Sequence, residues 1–331
     1  MIFIPIEIKS RDLDGRLLLA YKLITEYKNE VIIGSRSEIK RLTRHVKNGL
    51  LILKSINEKD NDYYELLKHN GFVIILIHAE GFVLPSNADS IVKHFYPTSS
   101  MGYLDACFCA GNEILKLINL NEKIKNKTKF IVSGDPRFEL YKNNNNSFYK
   151  YRIEKVKNNY GSKFFLINTN FAVINSIYDV DGIIKLYDDL LSENKEFNNL
   201  FYSRLFKEKK LIKYFTEMVE YISQNTEANL IIRPHPGEKM EYYKNKFKDI
   251  NNVFVSKEFS SIEMIKSAAA VIHYDCTTAI ETVFNEKTPI SFQVIPYDNN
   301  DAFLPIKYSK NIKTKEDILK YLIDIKKINE I

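Results

Sequence analysis

Two short stretches gather residues suited to holding phosphate. The first is Ile231-Ile232-Arg233-Pro234-His235-Pro236-Gly237-Glu238, which closes an apolar run beginning at Asn229. Pro234 and Pro236 each fix φ and remove a backbone donor, so His235 is held in a stiff, extended hook. A buried strand that stops abruptly and presents a cation-capable group at its carboxyl end is where open α/β sheets bind ligands. On this reading His235 meets a phosphate, with Arg233 and Pro236 beside it; a proline-rich turn with an incidental surface histidine explains the octapeptide as well. The second stretch is Tyr274-Asp275-Cys276-Thr277-Thr278-Ala279-Ile280-Glu281. Here Cys276-Thr277-Thr278 separates an apolar run, 270–273, from a helical pattern through Ile280, Val283 and Phe284. The free N–H groups of a helix start, its macrodipole and two hydroxyls together make an anion site, although capping alone would account for either threonine. Glu281, one turn in, is placed to accept hydrogen bonds from ribose hydroxyls or is a solvated helix glutamate. The phosphate reading gains from the two stretches ending separate strands of the same half of the chain.

Other chemistries lack their residues. The sequence has no Gly-x-Gly-x-x-Gly, no Gly-x-x-x-x-Gly-Lys-Ser/Thr, no His-Glu-x-x-His, no paired Cys-x-x-Cys and no Gly-x-Ser-x-Gly, so dinucleotide, P-loop, zinc and serine-hydrolase mechanisms have no local support. Cys107 and Cys109 lie two apart in an apolar run, which favours packing, and with Cys276 they make an odd count that fits a reducing cytosol. Asp-x-Asp pairs occur at Asp12/Asp14, Asp60/Asp62 and Asp179/Asp181. None is beside the phosphate residues in sequence, and no metal is expected.

The elements that must position these residues alternate. Strands are expected at 2–8, 30–35, 50–54, 72–78, 106–110 and 130–133, with helices through 17–24, 36–43, 63–69 and 112–117 between them. Residues 9–14 read as a polar loop whose Asp12 or Asp14 caps the next helix. The run 72–78 ends in His78-Ala79-Glu80-Gly81, and 130–133 runs into Gly134-Asp135-Pro136-Arg137. A tract of four asparagines, 143–146, and a weakly patterned basic stretch, 150–161, mark a domain boundary near 145–160. A second set follows, with strands at 163–168, 229–232, 253–256, 270–273 and 289–294. Its helices fall at 181–194, at 204–224, after Lys239, after Ser260 or Ser261, and from Thr314. Strands and helices alternating at this spacing indicate parallel sheets covered on both faces. The run Lys207-Glu208-Lys209-Lys210 reads as a solvated helix face, with contact to anionic lipid as the alternative.

Composition sets the frame. A chain of 331 residues exceeds what one core usually serves. With 48 basic against 42 acidic residues, the formal charge of +6 allows attraction to phosphate or an anionic membrane surface and is too weak to argue nucleic-acid binding. The apolar run at residues 1–6 is too short for a signal segment and is followed by Glu7 and Lys9, and no apolar run approaches the roughly 18–20 residues of a membrane span. The expected location is the cytoplasm, with peripheral contact to the cytoplasmic face of the inner membrane allowed.

Two similar α/β halves, with a His-Pro hook and a threonine-rich turn in the second, resemble GT-B glycosyltransferases. More narrowly, Arg-Pro-His-Pro-Gly-Glu followed by Asp-Cys-Thr-Thr-Ala-Ile-Glu looks like bacterial surface-carbohydrate biosynthesis proteins. That family is related in pattern to capsule Kdo transferases, bacterial sialyltransferases and CDP-glycerol phosphotransferases. Glu7-x-Lys9-x-Arg11-Asp12, Ile33-Gly34 and Gly134-Asp135-Pro136-Arg137-Phe138 fit the same family, so the resemblance spans nearly the whole chain. It implies an α/β chain of GT-B type: two Rossmann-like domains with a cleft between them. Residues 1–150 would form the acceptor side and 151–331 the donor side, with the final helix, 314–328, free to pack back on the first domain. It further implies a CMP-linked acid-sugar donor, nonulosonic or Kdo-like, a glycan or glycolipid acceptor, and no other cofactor. His235, Thr277 and Thr278 would hold the donor phosphate, and Glu238 or Glu281 the nucleoside. Loops at 9–14, 78–81 and 111–113 would serve the acceptor. Glu80 is the first choice of catalytic carboxylate and Asp12 and Asp14 the next, with Lys9, Arg11 and His78 beside them to bind the acid sugar or acceptor. A CDP-alditol phosphotransferase, a UDP-sugar transferase or epimerase, and a non-catalytic nucleotide-binding subunit remain alternatives.

Overall fold

Short runs of Ile, Val, Phe and Leu, each ending in a polar turn, become parallel strands in the computed structural model, which describes residues 1–78, 95–119, 128–141, 146–298 and 301–328. The chain divides into two compact units, Met1–Asn146 and Ser147–Ile331. Each is built on one six-stranded sheet.

In the first unit the strands are β1 (Ile2–Ile6), β2 (Val31–Ser35), β3 (Leu50–Leu53), β4 (Val73–Ile77), β5 (Ala106–Cys109) and β6 (Lys129–Val132). They lie in the order β2-β1-β3-β4-β5-β6, with every pair parallel. Parallel strands need crossover connections, and helices on those crossovers bury both faces, so the strands read as apolar runs. The chain leaves β1 for β2 and then steps back across it to β3, which puts the reversal of strand order between β1 and β3.

The second unit contains β7 (Phe164–Asn168), β8 (Asn229–Arg233), β9 (Val253–Val255), β10 (Ala270–His273), β11 (Ile290–Phe292) and β12 (Lys310–Ile312). Their order is β12-β11-β10-β7-β8-β9, again parallel throughout. Strand order reverses between β7 and β10, the crevice where doubly wound sheets take ligands. Alternate residues of each strand face opposite helical layers. Phe165, Ile167, Leu230, Ile232 and Ile272 pack with Leu211, Phe215, Met218 and Ile222 of the helix Lys195–Gln224. Phe164, Leu166, Ile231 and Val271 pack on the other side with Val156, Tyr160, Met264 and Ile265.

Several sequence expectations change. Residues 9–14 are the first turns of the helix Lys9–Thr25 rather than a loop. The weakly patterned stretch 150–161 lies in the helix Asn146–Tyr160; its few apolar positions, Val156 and Tyr160 among them, suffice to seat it on the second sheet. The pattern at 181–194 is two helices, Asp179–Leu186 and Asp188–Glu193, separated at Tyr187. The next helix starts earlier than expected, at Lys195, because Asn194 caps it by accepting the N–H of Phe197 at 3.0 Å. Strand β12, only three residues long, was not anticipated. The closing helix Lys315–Ile328 places Ile318, Leu319 and Leu322 in the core of the second unit. Cys107 and Cys109 are fully buried core residues of β5.

Candidate functional site

After β8 the backbone turns through Arg233, Pro234, His235, Pro236 and Gly237 and is pinned by one carboxylate. Glu238 is 1% exposed. Its Oε1 accepts from Thr169 Oγ1 at 2.8 Å, the N–H of Phe171 at 3.1 Å and the N–H of His235 at 3.0 Å. Its Oε2 accepts from Tyr243 Oη at 2.6 Å and Asn175 Nδ2 at 3.5 Å. The hook is tied further by backbone hydrogen bonds from Ile177 to Gly237 and from Lys239 to Asn175, both 2.9 Å, and by Lys257 Nζ, which donates to the carbonyls of Pro236 and Glu238. Glu238 therefore does not face a nucleoside, as the family resemblance implied. Its lone pairs are taken by the chain's own donors, and it serves to hold the hook. His235 is half-buried. Its Nδ1 accepts the N–H of Gly237 at 3.1 Å, so in the neutral ring Nε2 carries the proton.

β10 ends at His273, which is wholly buried. Its Nδ1 accepts the N–H of Cys276 at 3.3 Å. Nε2 then bears the proton and donates to Ser309 Oγ at 2.8 Å, and that hydroxyl donates to the carbonyl of Pro305 at 2.6 Å. Burial pushes the imidazole down to about 4, against a smaller opposing effect of Asp275, so the ring is neutral and holds the turn at Cys276 in place. Burial likewise pushes the Cys276 thiol up, which keeps it protonated and a poor nucleophile. The helix that follows, Thr278–Phe284, has seven residues, and neither threonine caps it: Thr277 has helical φ and ψ and makes no side-chain cap. Thr278 is 8% exposed, with Oγ1 buried and without a hydrogen-bond partner. Glu281 is 7% exposed, with Oε2 in the same condition. The solvated-glutamate reading of Glu281 is thus excluded.

The turns after β7 and β10 are joined by a buried ion network. Arg204 donates to Asp275 at 2.6 and 3.3 Å, to Glu208 at 2.7 Å and to the carbonyl of Asn170 at 3.1 Å. Glu208 also accepts the N–H groups of Val173 and Ile174, and Lys207 pairs with Asp301 and Asp298. Half of the run 207–210 is therefore spent on internal pairs and is not a solvated face; Lys209 and Lys210 are exposed.

The first-unit residues fare unevenly. Lys9 is exposed and Asp14 half-buried, both on the opening turns of the helix Lys9–Thr25; Arg11 belongs to the same turns. Asp12 is not open for catalysis. It is 3% exposed, accepts the N–H of Ile8 at 2.9 Å and pairs with Lys54 Nζ at 2.9 Å, directly past the end of β3. One member of each other Asp-x-Asp pair is ion-paired, Asp60 with Arg36 and Lys40 and the exposed Asp179 with Lys239. His78 follows β4, buried against Phe95 and Tyr96 with ring centroids 5.3 and 4.8 Å away, and so does not stand open to an acceptor. Glu80 lies outside the described residues.

Sequence reasoning missed Asn168, His273 and Arg204. The first two are polar residues ending otherwise apolar strand runs, a signal present in the sequence. Arg204 sits four residues before Glu208, a spacing that also fits an ordinary surface helix pair.

Two units built on parallel six-stranded sheets, one ordered as in flavodoxin-like folds and the other as in the dinucleotide-binding fold, make this a GT-B-like chain of two Rossmann-like domains. The solved structures it resembles bear this out. The wall teichoic acid polymerase TagF matches with a TM-score of 0.56 and 10% identity over 100% of this chain and 81% of that one. The MnaA–UDP complex of S. aureus matches with a TM-score of 0.56 and 10% identity over 98% of this chain and 88% of that one. The UDP-GlcNAc 2-epimerase of Methanocaldococcus jannaschii gives 0.51 and 10% over 98% and 91%. No protein-family model matches the chain, nor does any curated protein sequence. No helix among the described residues is long and apolar enough to cross a membrane.

Proposed function

We propose that this chain is a glycosyltransferase that moves an acid sugar, nonulosonic or Kdo-like, from a CMP-activated donor to a surface glycan or glycolipid. The observation that carries the reading is the pair of buried, unpartnered atoms Thr278 Oγ1 and Glu281 Oε2 beyond β10. The strand they follow borders the strand-order reversal, and its end is two strand spacings, or about 10 Å, from the end of β8 and its locked hook. Nε2–H of His235 and the hydroxyls of Thr277 and Thr278 hold the donor phosphate, with Arg233 adding charge. Cys276 and Pro236 set the two turns that present them. As CMP departs, negative charge grows on its phosphate, and a donor already in place there lowers the barrier by about 3–4 kcal/mol. Glu281 accepts from the ribose hydroxyls. On the acceptor side Glu80 is the proposed general base, with Asp14 the next choice, and Lys9 and Arg11 bind the acid sugar or the acceptor. The scheme needs no metal. It places the protein in the cytoplasm, touching the inner membrane peripherally where the acceptor is a glycolipid.

A second reading, transfer of an alditol phosphate from a CDP-linked donor, is favoured by the likeness to TagF, a variant of which was soaked with CDPG. Calorimetric titration with CMP, CDP, UDP and GDP separates the two. Preference for CMP supports the acid-sugar reading; tight CDP or UDP binding with indifference to CMP overturns it. His235→Ala is expected to abolish nucleotide binding, and Glu80→Gln to stop turnover while sparing it. Intact binding without turnover in the unaltered chain would identify a nucleotide-binding subunit instead.

A further inference from the structure

The row of residues at the carboxyl ends of the central strands of the second unit includes one that the fold leaves unused. Asn168 is the last residue of β7, 2% exposed. It lies opposite Arg233 of β8, on the strand that borders the reversal of strand order. Both of its amide atoms, Nδ2 and Oδ1, are buried without a hydrogen-bond partner.

Other amides of the same unit are not left so. Asn170 donates to Asp275, Asn175 to Glu238 and to the carbonyl of Lys239, Asn229 to the carbonyl of Tyr160, and Asn252 to three carbonyls. An amide taken out of water with neither end paired is costly to a fold. Nothing in the packing calls for it, since the same face of β7 carries Phe164 and Leu166 in an apolar cluster and leucine branches at Cγ as asparagine does. The amide also differs from what pure charge binding would use. A site built only for an anion needs donors, whereas Asn168 offers a donor and an acceptor together.

We infer that the Asn168 carboxamide reads the ligand of the donor site, Nδ2 donating to a phosphate oxygen and Oδ1 accepting from a hydroxyl of the same molecule. The ligand class is a hydroxylated phosphate ester, such as a nucleotide or the group it carries. The inference rests on the donor-site reading above. Trapped water is the competing occupant, since water too would satisfy both ends of the amide.

The test uses the full chain and whichever of CMP and CDP binds it more tightly. Asn168→Leu should weaken that nucleotide by about tenfold or more, while the unliganded Tm holds or rises because an unpaired amide has left the core. Affinity within about twofold of the unaltered chain overturns the inference, and a lower Tm with unchanged affinity assigns Asn168 to a water-filled structural niche. Should Asn168→Leu fail to fold, Asn168→Ser decides: unchanged affinity overturns the inference, and a tenfold loss at a near-native Tm supports it. If the unaltered chain binds no nucleotide, the donor-site reading falls and this inference with it. If it binds and Asn168→Leu binds equally well, only the role of Asn168 is lost.

Discussion

The Oε1 atom of Glu238 accepts the backbone N–H of His235 at 3.0 Å, closing a turn in which the carboxylate fixes the residue proposed to touch phosphate. Every group around that carboxylate is a donor. Glu238→Gln replaces an acceptor with an NH2 group that must face one of them. The expected cost is about 2–3 kcal/mol, read as a lower urea midpoint at unchanged m, together with weaker nucleotide binding because the hook loosens.

Arg204 supplies the cation that balances Glu208 and Asp275. Burial alone would raise the Asp275 carboxyl, but Arg204 outweighs it and holds the group below the ordinary carboxylate range. Arg204→Met strands two buried carboxylates and is expected to destabilise by about 3–5 kcal/mol. In urea unfolding, Arg204→Met combined with Asp275→Leu should lose less than the two single variants added together.

His273 gives stability a specific pH window. Its pKa falls from 6.5 to about 4 on folding, through burial, so the folded state resists a proton that the unfolded state takes up. Its contribution is whole above about pH 6.5 and is lost progressively as pH falls toward 4, amounting to about 3 kcal/mol. Urea midpoints measured across that interval should fall in the unaltered chain and flatten in His273→Gln. Asp275, with its lowered pKa, yields only at more acidic pH.

Gly15 lies inside the helix Lys9–Thr25, where alanine ordinarily stabilises by about 1 kcal/mol. Here an added Cβ would come within 3.0–3.1 Å of Arg137, including its backbone nitrogen and Cα, and backbone does not move aside cheaply. Gly15→Ala is therefore expected to lower Tm, a reversal of sign that a thermal melt detects directly.

Much of the fold was legible because parallel strands buried on both faces leave unbroken apolar runs such as Phe-Phe-Leu-Ile-Asn and Ala-Val-Ile-His. The start of the first helix was less so. Lys9, Ser10, Arg11, Asp12 and Asp14 read as a polar loop, yet the N–H of Ile8 bonds to the Asp12 carboxylate and the helix begins among them. The hook and the threonine turn were legible as phosphate chemistry from proline spacing and residue type. Their internal wiring was not. Glu238 and Glu281 look alike in sequence, one apiece beside each motif; one is saturated by donors on surrounding segments and the other keeps a buried, unpaired oxygen.

By itself the sequence determined the alternation of strands and helices, the stiff placement of His235 between two prolines, and the pairing of that hook with Cys276-Thr277-Thr278 in one half of the chain. Those features are local, set by backbone restriction and by the periodicity of apolar residues. Strand order, and with it the reversal between β7 and β10, came only from the tertiary structure. So did the unpaired state of Asn168 and the loss of Asp12 to Lys54, because burial and partnership depend on residues tens of positions away that the chain brings together only when both sheets are formed.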